Sequence, residues 1–170
     1  METAHGTIDR DHLEDYLNHH LLGSRSGVRM FQTAADTWNG TEYEQQFLDL
    51  AEQVQQDQKT LEALIERLGM KIPAVNKAVG KAAEVAGRLN PVNLTRSKTQ
   101  GMTQVEMDLL QGALQAKSGM WHVLARLAEQ FPELGMEPDQ MTGLYEAAQQ
   151  QEAQVRRISD ETMDTRFVAH

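Results

Sequence analysis

The chain has 170 residues, a net charge of -9 and no cysteine. That length suffices for one domain burying roughly two-thirds of its extended surface without metals or disulfides, and the missing cysteine excludes thiolate metal sites, disulfide bonds and thiol redox chemistry. The acidic balance argues against a general nucleic-acid binder, whose phosphate contacts need clustered Lys and Arg, and no apolar run approaches the roughly 18 residues of a membrane span.

The polar stretch from Met1 to Arg10 has no apolar secretory core, so a cytoplasmic location is expected. A first helix is predicted over about 8–38, stopped by Asn39-Gly40, residues that tolerate a left-handed cap. Thr41 with Glu44 reads as a capping box, so a second helix starts at once and runs over about 42–68, closed by Gly69. The short connection makes these two an antiparallel hairpin.

Met70 to Met102 is the only long connection. Within it a short amphipathic helix is predicted over about 74–89, ended by Asn90-Pro91. The segment is basic in an acidic chain, with Lys71, Lys77, Lys81, Arg88, Arg96 and Lys98 against Glu84. A solvated face, or an internal complement to acidic helices, explains that charge more simply than an anionic partner. Thr103 and Glu106 form a second capping box, opening a helix over about 104–131 that Pro132 stops. Pro138 opens the last helix, over about 138–164.

The long helices have similar lengths, about 40 Å each at ~1.5 Å per residue, and each carries an apolar stripe at alternating three- and four-residue spacing, the seam of a bundle. One polar residue interrupts each stripe near its midpoint: Ser24, Asp57, Lys117 and Gln151. Equal helices packed side by side align their midpoints, so these four should meet, with His20 beside the seam and Gln154 one turn on. Gly23, Gly27, Gly112 and Gly119 cost ~1 kcal/mol each inside helices relative to Ala. Some should therefore permit close helix approach or leave a small pocket beside the polar layer.

The stretch from Leu50 to Gly69 resembles the second helix of ferritin-like proteins, and Tyr145 to Ile158 resembles its weaker repeat. Tyr16-Leu-Asn-His-His-Leu-Leu-Gly23 is similar to a group of bacterial ferritin-like proteins. The resemblance covers all the long helices and implies an all-α fold: a single ferritin-like four-helix bundle over 1–170, two antiparallel hairpins joined by a long crossover. Metallated members supply one Glu from each of two helices and a Glu-x-x-His pair from each of the others. On this chain those places hold Ser24 and Lys117, Val54 with Asp57, and Gln151 with Gln154. One carboxylate and a cation do not make a site for two iron or manganese ions.

The expectation is thus a non-enzymatic bundle with no metal, cofactor or catalytic residue, in which Lys117 pairs with Asp57 while Gln151, Ser24 and His20 complete the hydrogen bonds. The competing reading lets Lys117 run its stem along the seam and place its nitrogen in water. A structural or interaction role as a homodimer, with no nucleic acid and no membrane, fits best. The alternatives are a di-iron or manganese oxidase, which architecture favours and ligands oppose, and a bundle binding a small apolar ligand. Asp11, His12, Asp15, His19 and His20 form a possible surface metal cluster, read more simply as the polar face of a helix.

Overall fold

The computed structural model describes residues 6–74 and 102–169. Among these residues the regular elements are all helical: α1 (Arg10–Thr37), α2 (Glu42–Arg67), α3 (Gln104–Gln130), a 3-10 turn (Pro132–Leu134), α4 (Pro138–Glu161) and a single turn, α5 (Asp164–Phe167). None of these helices is long and apolar enough to cross a membrane. The short amphipathic helix expected over about 74–89 lies outside the described residues, as do the basic residues from Lys77 to Lys98.

Capping chemistry sets the helix ends. Asp9 caps α1, which starts at Arg10 and not at the expected 8, its side chain accepting from His12 N at 3.0 Å. Thr103 and Glu106 bond reciprocally at the start of α3, at 3.2 Å and 2.8 Å. The Thr41–Glu44 pair differs from a closed box: Thr41 accepts from Tyr43 N, while Glu44 reaches past it to Gly40 N at 2.8 Å. At the end of α2, Gly69 takes φ 71°; its N–H bonds Glu66 O, and Met70 N bonds Ile65 O at 3.1 Å. This is a Schellman cap, and Met70 packs in the same apolar cluster as Ile65. α4 stops at Glu161, short of the expected 164; Thr162 folds its hydroxyl back onto Ile158 O at 2.6 Å.

The pairs α1–α2 and α3–α4 pack along their lengths, with narrower contacts between α1 and α3 and between α2 and α4. The diagonal pairs, α2–α3 and α1–α4, approach each other less closely than any of these. Two apolar clusters fill the interior. One collects Leu13 to Leu21 of α1, Leu61 to Leu68 at the end of α2, Met120 to Phe131 of α3, and Met141 and Ala148 of α4. The other collects Val28 to Trp38, Phe47 to Val54, Met107 to Leu114, and Val155 and Ile158. Each cluster therefore takes opposite ends of α1 and α2, and opposite ends of α3 and α4, so both pairs are antiparallel hairpins while α2 and α3 run parallel. Met70 belongs to the first cluster and Met102 to the second.

The chain leaving α2 is held against α1. Arg10 donates to Leu68 O, Asn18 Nδ2 donates to Lys71 O at 2.8 Å, and Lys71 N donates to Glu14 Oε2 at 3.0 Å.

Candidate functional site: the polar layer and its cavity

In every long helix the two apolar clusters leave a gap: after Leu21 in α1, after Val54 in α2, after Leu114 in α3 and after Ala148 in α4. Ser24, Asp57, Lys117 and Gln151 occupy those gaps. The structure brings three of them together. Lys117 Nζ lies 2.5 Å from Asp57 Oδ2 and also donates to Gln151 Oε1, and Gln151 Nε2 lies 3.4 Å from Asp57 Oδ2. Lys117 and Asp57 side chains are only 12% and 15% exposed, and Gln151 is buried. Lys117 thus keeps its nitrogen inside the bundle.

Burial pushes the Lys117 ammonium below its ordinary lysine value, and the Asp57 charge and hydrogen bond push the other way. Removing a cation from water costs more than this single ion pair returns. The amide of Gln151 answers part of that deficit by offering its oxygen to the cation and its N–H2 to the carboxylate.

The remaining site residues fall outside this triad. Ser24 donates its hydroxyl to Leu21 O at 2.7 Å, one turn back on its own helix, which is the habit of helical serines. Gln154 is part-buried on α4 and is not a member of the bonded set. His20 sits with its ring edge against Tyr16, centroids 4.7 Å apart; burial first, then the neighbouring His19, lower its proton affinity. His19 spends Nδ1 on the backbone oxygen of Asp15 at 2.7 Å. Among the described residues no group of three or more His, Asp or Glu is placed to hold a metal ion.

Three corners of the layer supply side chains; the α1 corner supplies space. A cavity of about 360 Å³ opens there between α1, α2 and α3, lined by Gly23, Ser24 and Gly27 on one side and Asp57, Lys117 and Leu114 on the other. His20, Phe31 and Trp121 also border it. Gly23 and Gly27 both line it: a Cβ on the exposed Gly23 would meet nothing within 4 Å, and one on the buried Gly27 would come within 3.8 Å of Val54 Cγ1. Gly112 and Gly119, grouped with them by sequence, lie on the exposed face of α3 instead.

Two features carried no sequence signal. Arg166 folds back onto Gln104, Ser159 and Thr162, tying the last helical turn to the start of α3. The indole N–H groups of Trp38 and Trp121 are buried without an acceptor among the described residues, each a local cost on the order of 1–3 kcal/mol. Compared with known proteins, the chain matches no family model, no curated protein and no solved structure.

Proposed function

We propose that this chain is a ferritin-like four-helix bundle whose centre is closed by an ion pair in place of a di-metal site, and that it serves as a structural or interaction protein instead of an oxidase. Support for the connectivity comes from the chain ends around the long connection. Met70 packs in one apolar cluster and Met102 in the other, so α2 ends and α3 begins at opposite ends of the bundle, the relation that ferritin-like connectivity has.

The single observation that carries the functional reading is Lys117 Nζ at the bundle centre, bonded to Asp57 and Gln151 from two other helices. The residues at the places of a ferritin-like metal centre are Ser24, Val54, Asp57, Lys117, Gln151 and Gln154. They do not fit two hard divalent ions, which need several anionic oxygens or imidazoles to offset dehydration. The one carboxylate is already bound to a cation, and that cation would repel an incoming ion.

Metal analysis of protein produced in iron- and manganese-supplemented medium tests this reading. The expected result is far less than one equivalent of either metal per chain, with a melting temperature unmoved by chelator or by added iron or manganese. One or two tightly held equivalents, lost on Asp57→Asn, would restore the oxidase reading.

A further inference from the structure

We propose that the cavity at the α1 corner is a binding site for a small, mainly apolar, uncharged molecule carrying one hydrogen-bond acceptor, such as a carbonyl, which takes an N–H of Lys117. The volume, about 360 Å³, is in the range of small-ligand sites. Its walls are mostly apolar, with Phe31, Leu61, Leu114 and Met120 prominent among them, and the Lys117–Asp57 pair lies in its lining beside the polar side chains of Ser24, Gln58 and His20.

Donor accounting selects the polar end of the ligand. An ammonium has three N–H bonds; Asp57 and Gln151 take two, and the third has no acceptor among the described residues. Lys117 lines the cavity, and its side chain retains 12% exposure. The ligand's net charge follows from the ion pair already in the wall. A carboxylate on the ligand would add a second negative charge beside Asp57, while a cation would face Lys117, and neither would find a free counter-charge. A neutral acceptor uses the remaining donor and leaves the pair intact. The ligand's body needs the space that Gly23 and Gly27 leave, so two residues unfavourable to a helix interior acquire a reason to be there.

The test is calorimetric titration of the full chain with 2-acetylnaphthalene, with 2-isopropenylnaphthalene, which replaces the carbonyl oxygen by a methylene in nearly the same shape, and with 2-naphthoate. The proposal expects the ketone to bind at least about tenfold more tightly than the alkene, the worth of one hydrogen bond to a charged donor, and more tightly than the carboxylate. Gly23→Leu, whose side chain has open space to enter, should fold with an unchanged or higher melting temperature and lose binding. A Gly23→Leu chain that melts early is replaced by Gly27→Ala, for which weakened ketone binding is expected. No ketone binding up to its solubility would overturn the proposal. Equal affinity for ketone and alkene, or a preference for naphthoate, would overturn the assigned chemistry, and full binding by a folded Gly23→Leu variant would overturn the location. The metal measurement is separate, so failure here leaves the ion-pair reading standing.

Discussion

Lys117 on α3 reaches Asp57 on α2 across the bundle diagonal, Nζ to Oδ2 at 2.5 Å, although the two helices pack mainly against their other neighbours. Only a long side chain spans that distance, which gives a physical reason for a lysine at this place: its four-carbon stem can lie among apolar neighbours while its head meets the carboxylate. Gln151 on α4, which packs against both helices, closes the triangle. The α1 corner stays open because Ser24 turns to its own backbone.

Acid should weaken the fold in part through His20. Burial and His19 depress its proton affinity in the folded state, so the unfolded chain binds the proton first. Its contribution is therefore complete above about pH 6.5, the ordinary histidine value, and is lost as pH falls through the lower folded value. Urea unfolding of wild type and His20→Gln between pH 7.5 and 5 isolates this term, because carboxylate titration is common to both. A shallower acid loss in the variant is expected; parallel curves would contradict it.

Filling the glycines should stabilise the molecule. Gly27→Ala removes a helix-interior glycine, and the added Cβ meets Val54 Cγ1 at an ordinary 3.8 Å, so a gain of about 1 kcal/mol is expected. The same change at Gly40 should cost about 1 kcal/mol, because its φ is 76°. Urea midpoints moving in opposite directions would bear this out, and a destabilised Gly27→Ala would show that the α1–α2 approach tolerates no methyl.

Pairing of two chains is expected from the exposed apolar side chains Leu22 and Leu109, 48% and 40% exposed, which a two-fold helix contact would cover. Met30, on the same helix as Leu22, is partly buried against the second core cluster and adds nothing to this surface. Light scattering at tens of micromolar should report a dimer, as a Kd of ~1 μM would give; a monomer would remove the idea.

The polar layer was legible in sequence because it interrupts strict apolar stripes, and helices of matched length put their midpoints side by side. Which of its members would bond was less legible. A serine in a helix can satisfy itself on the preceding turn, so Ser24 reads the same whether it faces a partner or its own backbone. Lys117 left two readings open, snorkelling or pairing, and three-dimensional proximity to Asp57 and Gln151 distinguishes them. Glycines announced space without saying where: Gly23 and Gly27 border the cavity, while Gly112 and Gly119 face outward. The Arg166 clamp joins residues from opposite ends of the α3–α4 hairpin sequence, and no local pattern encodes such a contact.

The most direct test of the central claim is a double-mutant cycle on Lys117 and Asp57, read by equilibrium urea unfolding. Lys117→Met alone should destabilise by about 3 kcal/mol, because it strands a largely buried carboxylate, whereas Lys117→Met combined with Asp57→Leu should recover most of that loss, since an apolar replacement of a buried pair is close to neutral. A Lys117→Met chain as stable as wild type, with the two substitutions acting additively, would contradict the account and return the lysine nitrogen to solvent.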